Sequence, residues 1–230
     1  MSWVETAKRA AAVKALEEIR GGTVVGIGSG TTLELLVSEL AITARDRALE
    51  LKLIPTSRQI ESAILAAGLK IVTLDEVPGI DLALDGADQV VVPALDLIKG
   101  GGAALTREKV VDTAARKLIV VVDERKLTDR LGKGQAVPVE VIPFAHKLVM
   151  SKLTELGGKP ALRGSKATPT VTDNGNFLVD VDFGPIGDAH ALQDQLKSIP
   201  GLVETGLFLR MTDRVYVGLR DGRVDVLEPK

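Results

Sequence analysis

The chain has 230 residues and is nearly neutral, with 29 Lys plus Arg against 31 Asp plus Glu. This balance argues against a polybasic surface for nucleic acid or membrane, and the absence of cysteine excludes disulfides, thiolate nucleophiles and thiolate metal sites. Aromatic residues make up 3%, which disfavours base-stacking platforms, and only two histidines are present. Acid–base chemistry must therefore fall mostly on carboxylates and lysines.

The composition is that of a globular protein, 45% hydrophobic and 26% charged, with enough apolar residues for one large core or two smaller ones. The amino-terminal sequence shows no basic segment followed by an apolar run and a cleavage site. No stretch approaches about 18 uninterrupted apolar residues. We therefore expect a cytoplasmic protein that neither binds nor crosses a membrane.

The first 134 residues alternate between predicted helices and strands. In chain order, the predicted elements are a helix opened by a capping box at 2–5, a strand at 23–27, a glycine turn and helix over 28–40, a strand at 51–54, a helix ending at Ala67, and strands at 70–73, 81–84 and 118–122. This alternation predicts a parallel sheet covered on both faces, in a Rossmann-like α/β fold.

From about residue 135 the order of predicted elements changes. The elements are a strand at 137–141, a helix at 144–156, a short strand near Ala161, a strand at 177–181, a helix at 188–198 and a strand at 202–208. The order βαββαβ is typical of a ferredoxin-like α+β fold. We therefore predict a smaller domain at 135–204 and an α/β catalytic domain from 1–134 and 205–230, to which a hairpin at 215–226 adds strands.

A glycine-rich turn, Gly-Ser-Gly-Thr-Thr at 28–32, follows the first predicted strand and opens a helix. Backbone amides at a helix start favour an anion, so the turn predicts a phosphate-binding loop. A dinucleotide site is disfavoured, because Thr31 stands where the fingerprint needs glycine and the second strand ends at Pro55-Thr56 rather than at an acid. No Gly-Lys-Ser/Thr triplet exists, which excludes a Walker loop. The alternative interpretation is a tight turn without a ligand.

Two carboxylates stand three residues apart in Asp85-Gly86-Ala87-Asp88, directly after the strand predicted at 81–84. In an open parallel sheet the carboxyl ends of the strands line the ligand crevice. Two neighbouring carboxylates can have their proton affinities split, so that one holds a proton while the other stays ionised. The alternative is a pair of carboxylates that cap turns or a helix start.

The most informative segment is Lys-Gly-Gly-Gly-Ala-Ala-Leu-Thr-Arg-Glu-Lys at 99–109. Three successive glycines are costly in conformational entropy, and they expose amides beside Lys99 that suit an oxyanion. Glu108, in the first turns of a predicted helix, is a candidate general base. Lys126, after the strand predicted at 118–122, is a further candidate cation. The alternatives are a solvated helix-start glutamate and a surface lysine.

Several motifs occur in one order over nearly the whole chain. They are Gly-Ser-Gly-Thr-Thr at 28–32, Asp-Gly-Ala-Asp at 85–88, the segment 99–109, Pro-Val-Glu-Val-Ile-Pro at 138–143 and Val-Thr-Asp-Asn-Gly-Asn at 171–176. Together they resemble ribose-5-phosphate isomerase of the A type, and the triple-glycine motif is highly specific. One departure is Gln89, where many members carry an acid.

The resemblance implies an aldose–ketose isomerase that interconverts ribose 5-phosphate and ribulose 5-phosphate through an enediol, in the non-oxidative branch of the pentose phosphate pathway. It implies no metal or organic cofactor, no nucleic-acid partner, and a homodimer or homotetramer. Glu108 would move the proton between C2 and C1. Asp85, Asp88 and Lys99 would assist ring opening and manage hydroxyl protons, while Lys99 and the amides of Gly100–Gly102 would stabilise the enediolate.

The resemblance also implies a set of substrate-binding residues, which includes the loop that would hold the phosphate. They are Ser29, Gly30, Thr31, Thr32, Asp85, Gly86, Ala87, Asp88, Lys99, Gly100, Gly101, Gly102 and Lys126. Lys8 is a weaker candidate for the phosphate.

Two other functions fit parts of the sequence. A non-catalytic sugar-phosphate-sensing domain uses the same kind of scaffold, but such a regulator should carry a helix-turn-helix, and residues 1–22 predict only one helix. An amino-sugar-phosphate isomerase or deaminase would use a histidine in ring opening, whereas His146 and His190 fall in the predicted small domain. Formation of a ketose from ribose 5-phosphate separates these interpretations.

Overall fold

The structure is a computed structural model that describes residues 2–165 and 167–229. Its helices are α1 (Trp3–Ala15), α2 (Thr31–Asp46), α3 (Arg58–Ala66), α4 (Leu105–Ala114), α5 (His146–Glu155) and α6 (Ala189–Lys197). Its strands are β1 (Val24–Ile27), β2 (Lys52–Pro55), β3 (Leu82–Asp85), β4 (Gln89–Val91), β5 (Leu97–Ile98), β6 (Leu118–Asp123), β7 (Leu127–Thr128), β8 (Val137–Val141), β9 (Lys159–Leu162), β10 (Phe177–Asp182), β11 (Leu202–Thr205), β12 (Leu207–Phe208), β13 (Arg214–Gly218) and β14 (Val224–Leu227). None of the helices in that part of the chain has the length and apolar composition of a membrane-spanning segment.

The chain packs into two compact units. The first takes residues up to Ala87, Arg107–Lys126 and residues from Met211 onward, and the second takes Asp88–Thr106 and Leu127–Arg210. The small domain predicted at 135–204 lies within the second unit, which is larger than the prediction because it also holds β4, β5, β7 and β12. The division into domains at 135 and 204 stays a prediction.

The first unit is built on a six-stranded sheet in the order β14-β13-β6-β3-β1-β2. All neighbouring strands are parallel except the β13–β14 hairpin at the edge. The strands β1, β3 and β6 are buried along their whole length. One face packs α1, α2 and α3 in a large core, and the other packs a smaller cluster around Val24, Ile54 and Val111 of α4. The predicted α/β class with a parallel, Rossmann-like sheet is confirmed.

Helix α1 begins with the predicted capping box. The Ser2 Oγ accepts a hydrogen bond from the Glu5 amide at 3.3 Å, and the Glu5 carboxylate accepts one from the Ser2 amide at 2.7 Å. Four alanines of α1 are fully buried, Ala7, Ala11, Ala12 and Ala15. They allow a close approach to β13, where a Cβ on Gly218 would lie 1.9 Å from the Ala7 carbonyl oxygen. An alanine-rich sequence therefore lets the helix lie flat on the sheet.

The strand predicted at 70–73 is wrong as a full element. This segment forms a single parallel bridge, between Leu53 and Ile71, and then turns away. Its continuation is cut off by a second capping box, in which the Glu76 carboxylate accepts from the Thr73 amide at 2.7 Å and fixes a short 3-10 turn at Leu74–Glu76. The local cap outweighs the apolar pattern that favoured a strand.

The second unit contains a four-stranded antiparallel sheet in the order β11-β8-β10-β9. With α5 and α6 between the strands in sequence, this is the βαββαβ ferredoxin-like arrangement, and it buries a core that includes Val139, Val149, Val179 and Leu196. A separate sheet of short strands has the order β12-β5-β4-β7. The predicted small α+β fold is therefore confirmed.

The strand predicted at 202–208 is two strands in two sheets. β11 pairs with β8, whereas β12 pairs with β5, and the chain changes sheet at Gly206. The Gly206 amide donates to the Pro138 carbonyl at 2.7 Å, and a Cβ there would lie 2.4 Å from the Lys99 carbonyl oxygen. The change of sheet at this point requires glycine.

A charged cluster in the first unit centres on Glu18. Its carboxylate accepts hydrogen bonds from the Tyr216 hydroxyl at 2.6 Å, from Arg214 at 2.5 Å and from Lys117 at 3.0 Å. These contacts lower the pKa of Glu18 from 4.5 to about 2. The hydrogen bond with Tyr216 has the largest effect on the pKa, and the contacts with Lys117 and Arg214 add to it. The charged form of Glu18 therefore stabilises the folded state.

We expect Glu18→Gln to weaken the dependence of stability on acid pH. Because the folded-state pKa is depressed, the contribution is fully present above the unfolded value near 4.5 and is lost as pH falls towards about 2. Urea unfolding at pH 7 and at pH 3 should show a smaller difference in free energy of unfolding for this variant than for the unaltered chain. Glu17→Gln, an exposed neighbour paired with Lys14, should keep the original difference. Equal behaviour of the two variants would contradict the assignment.

Candidate functional site

Polar residues gather where the parallel strands of the first unit end. Thr56 and Ser57 follow β2, and Gly28 and Ser29 follow β1. The last residue of β3 is Asp85, and that of β6 is Asp123. The Ser29 hydroxyl lies 2.8 Å from the Thr56 hydroxyl oxygen and donates to the Ser57 Oγ at 2.7 Å. Because these strands are parallel, their carboxyl ends lie at one edge of the sheet, where β3 and β6 end in polar residues as predicted.

The predicted phosphate loop lies at the start of α2. Gly30 is the cap residue, with φ at 107°, a conformation that favours glycine, and it has no side chain of its own to cap the amides of the first turn. The Thr31 hydroxyl accepts a hydrogen bond from the Lys8 ammonium at 2.9 Å. A helix start, a glycine cap and a lysine in contact with its first residue provide the chemistry of an anion site.

Two cations of the first unit, Arg125 and Lys126, act on the Lys8 ammonium. Burial lowers the pKa of Lys8, the charges of Lys126 and Arg125 lower it further, and Asp123 opposes them. The carboxylate of Asp123 is itself bound by Arg125 at 2.7 Å. The ammonium groups of Lys8 and Lys126 would both attract a bound anion. This places Lys8 and the predicted Lys126 in one electrostatic environment.

Asp85 is the last residue of β3, and its side chain is 0% exposed. Its Oδ1 accepts from the Gly86 amide at 2.6 Å. Gly28, on the neighbouring strand end, lies against this carboxylate, so that a Cβ there would fall 1.8 Å from Oδ1. The glycine at 28 therefore makes room for a buried acid as well as a turn.

Glu108 is the fourth residue of α4 and is only 3% exposed. Its Oε1 accepts a hydrogen bond from the Ser29 amide at 3.3 Å, at the entrance to the phosphate loop. The alternative interpretation of Glu108 as a solvated helix-start glutamate is therefore wrong. A buried carboxylate beside an anion loop is suited to proton transfer on a phosphorylated substrate.

Lys99 follows β5 in the second unit and is 2% exposed. Its backbone amide donates to the Gly206 carbonyl at 2.9 Å, which fixes the end of β5 to the point where the chain changes sheet. Its ammonium lies 5.3 Å from the centroid of the Phe208 ring, a distance at which the ring face attracts a cation. Contacts with Gly206 and with Phe208 of β12 therefore hold Lys99 at a defined position.

The triglycine segment, Gly100–Gly102, forms a tight turn in the second unit. Gly100 has φ at 109°, and a Cβ there would lie 2.8 Å from Leu105 and 3.2 Å from Pro138. The Gly101 amide donates to the Asp88 Oδ2 at 2.8 Å. One of the amides predicted for an oxyanion is thus engaged by a predicted acid. Asp85 belongs to the first unit and Asp88 to the second, and the coupling of their protons stays a prediction.

Gln89, the departure noted in the sequence, forms two hydrogen bonds that an acid could not both form. Its amide nitrogen donates to the Lys133 carbonyl at 2.9 Å, and its amide oxygen accepts from the Gly132 amide at 2.9 Å. A carboxylate has no donor for the Lys133 carbonyl. Gln89 therefore anchors the loop at 132–133.

Sequence reasoning missed a buried carboxylate on β8, Glu140. Its oxygens accept from the side chains of Thr172 at 2.9 Å, Asn174 at 3.0 Å and Asn176 at 2.8 Å, and from the Thr106 hydroxyl at 2.5 Å. A lone glutamate between the buried valines of β8 was the available signal. The network connects the motifs at 138–143 and 171–176 with Thr106, the second residue of the helix that carries Glu108.

The two histidines lie in the second unit. His146 has its Nδ1 2.7 Å from the Pro143 carbonyl oxygen and packs edge-on against Phe177. The His190 Nε2 is 3.8 Å from a carboxylate oxygen of Asp96. Within the described ranges, no three histidine or acidic side chains gather as a possible metal-binding group.

Comparison with known proteins places the chain in one family. The sequence profile of ribose 5-phosphate isomerase A (phosphoriboisomerase A) matches residues 52–222. A ribose-5-phosphate isomerase A of Methanosarcina acetivorans is 46% identical over 222 residues, which is 96% of this chain and 93% of the relative. The structure of ribose 5-phosphate isomerase A from Methanocaldococcus jannaschii has a TM-score of 0.92 at 40% identity, covering 97% of this chain and 99% of that one. A D-ribose-5-phosphate isomerase solved in complex with phospho-erythronic acid has a TM-score of 0.93 at 40% identity, covering 98% and 99%. With its motifs, fold and strand-end carboxylates in agreement, the chain belongs to the ribose-5-phosphate isomerase A family.

Proposed function

We propose that this chain interconverts D-ribose 5-phosphate and D-ribulose 5-phosphate, with Glu108 as the base that moves a proton between C2 and C1. The family membership supports the aldose–ketose isomerisation. The observation that carries the role of Glu108 is its buried carboxylate, hydrogen-bonded at 3.3 Å to the Ser29 amide. A molecule whose phosphate occupies the loop at 29–32 would present its sugar carbons near that carboxylate.

The proposed phosphate site consists of the loop Ser29–Thr32 together with Lys8 and Lys126. Amides at the start of α2 provide donors, and the helix dipole adds a partial positive charge. Lys8 contacts Thr31 directly. A relative that binds phospho-erythronic acid supports this proposal, because that ligand also carries a phosphate on a short sugar chain.

The proposed chemistry begins with an open-chain aldose. Glu108 removes the proton from C2, and the electron pair forms a C1–C2 double bond as the C1 carbonyl becomes an oxyanion. Lys99 and the amides of Gly100 and Gly102 stabilise this oxyanion, while the Gly101 amide stays bound to Asp88. Glu108 returns the proton to C1 as the ketone forms at C2. A proton alpha to a carbonyl is weakly acidic, so the donors matter as much as the base.

Asp85, Asp88 and Lys99 are proposed to handle the protons on oxygen. Opening of the furanose ring needs a base at the C1 hydroxyl and an acid at the ring oxygen, and the reaction then moves a proton between O1 and O2. Asp85 is fully buried, and Asp88 is oriented by the Gly101 amide. These steps use only side chains and amides of this chain. The homodimer or homotetramer implied by the resemblance stays a prediction.

Turnover in deuterated water tests the proposed function. The purified chain, with a chelator present, should convert ribose 5-phosphate into ribulose 5-phosphate, and part of the ketose should carry solvent deuterium at C1. Nuclear magnetic resonance of the product measures both. Binding of ribose 5-phosphate without formation of ketose would instead support the sensing domain and overturn the isomerase. Release of ammonia from an amino-sugar phosphate alone would indicate the deaminase.

We expect Lys8→Met to raise KM for ribose 5-phosphate about tenfold with little change in kcat. The Lys8 ammonium, which binds Thr31 of the phosphate loop, is proposed to donate to the phosphate, and the loss of one charged hydrogen bond typically has an effect of about this size. The reason is that the phosphate is bound equally in the ground state and in the transition state. Steady-state kinetics with coupled detection of ribulose 5-phosphate gives both constants. Lys14→Met, on the same helix but paired with Glu17, is the matched control and should leave KM unchanged. A fall in kcat at unaltered KM would refute the phosphate role.

A further inference from the structure

Arg163 connects the second unit's antiparallel sheet to the triglycine turn. It directly follows β9, and its Nη1 donates to the Gly100 carbonyl oxygen at 2.8 Å and to the Gly101 carbonyl oxygen at 3.1 Å. The side chain is 20% exposed. One guanidinium nitrogen therefore restrains two consecutive peptide groups of the turn.

Asp180 fixes the orientation of that guanidinium. Its carboxylate accepts from the Arg163 Nε at 2.8 Å and from Nη2 at 2.5 Å, a two-point contact that matches the planar shapes of both groups. Asp180 lies on β10 and pairs in register with Ala161 of β9. Because two nitrogens of the guanidinium are held by Asp180, the third points at the carbonyls of Gly100 and Gly101.

Restraint of a carbonyl also restrains the next amide, because a peptide group is planar and its N–H points opposite to its C=O. The Gly100 carbonyl sets the direction of the Gly101 amide, which donates to Asp88 at 2.8 Å, and the Gly101 carbonyl sets the direction of the Gly102 amide. Glycines have wide backbone freedom and need an outside restraint to hold one conformation. A cation on the carbonyls also polarises these peptide groups and strengthens their N–H donors.

We propose that Arg163, braced by Asp180, is a positioning residue that holds the Gly101 amide on Asp88 and aims the Gly102 amide at the oxyanion of the reaction. The proposal rests on the proposed function for the identity of that oxyanion. The proposal predicts a difference between two ligands. Loss of the restraint should weaken the binding of an anion that mimics the enediolate, whereas the binding of the substrate should change little. An arginine that only stabilised the fold would lower stability without this selectivity.

The test compares Arg163→Lys with a matched control, Arg214→Lys. Lysine keeps the charge but cannot form the two-point contact with a carboxylate while reaching both carbonyls. Arg214, in the first unit, is 27% exposed and also pairs with a carboxylate through Nε and Nη2, that of Glu228. Asp180→Asn is a second variant, which removes the brace and retains Arg163. Calorimetric binding of 4-phospho-erythronic acid, steady-state kinetics and thermal unfolding are measured for all of them.

We expect Arg163→Lys to lower kcat about 10- to 100-fold and to weaken 4-phospho-erythronic acid binding by a similar factor, with KM for ribose 5-phosphate within about threefold. Asp180→Asn should show the same pattern to a smaller degree. Arg214→Lys should lower the midpoint of thermal unfolding about as much as Arg163→Lys does, but it should leave kcat and the binding of 4-phospho-erythronic acid unchanged.

Two results would overturn the proposal: equal effects of Arg163→Lys and Arg214→Lys on kcat and acid binding, or a change in KM alone. Failure of the proposed function is recognised separately, as absence of turnover by the unaltered chain. In that case amide hydrogen exchange of the unliganded protein still decides the geometry. Faster exchange of the Gly101 and Gly102 amides in Arg163→Lys than in Arg214→Lys would support the restraint, and equal exchange would refute it.

Discussion

Glu108→Gln is expected to lower kcat by about 10²–10⁴-fold, the contribution typical of one acid–base residue. The amide has nearly the shape of the carboxylate, so the fold and the phosphate site should be retained, but it cannot accept the C2 proton. Single-turnover conversion of ribose 5-phosphate measures the chemical step directly. Solvent deuterium should also fail to enter the remaining substrate, because exchange requires the same base.

Binding provides the control for the Glu108 variant. The affinity for 4-phospho-erythronic acid and the midpoint of thermal unfolding should stay close to those of the unaltered chain. Full activity of Glu108→Gln would remove Glu108 from the reaction. If the variant lost both its activity and its binding of 4-phospho-erythronic acid, Glu108 would instead be a structural support of the loop at Ser29, whose amide it binds.

Gly28→Ala is expected to have the second large effect, on activity and on stability together. The added methyl carbon would lie 1.8 Å from Oδ1 and 2.0 Å from Cγ of Asp85, a fully buried carboxylate that must move if the methyl group is to fit. Overpacking of this kind costs about 1–3 kcal/mol. Displacement of Asp85 should lower kcat/KM about 100-fold, as misplaced reacting groups do.

Gly79→Ala is the matched control for Gly28→Ala, because a methyl group there would meet nothing within 4 Å and lies in the same unit. Its free energy of unfolding in urea and its kcat/KM should equal those of the unaltered chain. A fully active and stable Gly28→Ala would mean that Asp85 can shift freely. Its proposed role in opening the sugar ring would then be untenable.

Much of the fold could be predicted because its signals are local. Glycines at 28 and 30 mark a turn between an apolar strand and a helix, and the capping box at Ser2 marks the start of α1. The change from alternating strands and helices to the βαββαβ order separated two kinds of sheet. These patterns involve residues a few positions apart, where propensity and hydrophobic period dominate.

The strand predicted at 70–73 was ended by a local capping box, whereas the other errors and omissions arose from contacts between distant residues. The break of the strand predicted at 202–208 depends on the close approach of Gly206 to Lys99 and Pro138, which no local pattern encodes. Arg163 lies more than sixty positions from the glycines that it binds, and appeared in the sequence as an ordinary charged residue. The candidate acids and the lysine were identified from motifs, whereas the residues that hold them in place were not.

The order in which the strands are synthesised differs from the order in which they lie in the first unit's sheet. β13 lies between β6 and β14, so the sheet lacks its last two strands until residues 214–227 are made. The four strands β8–β11, by contrast, are contiguous at 137–205 and are all synthesised before β13. A nascent or truncated chain that ends before β13 would expose the apolar edge of β6, a site for chaperone binding or aggregation.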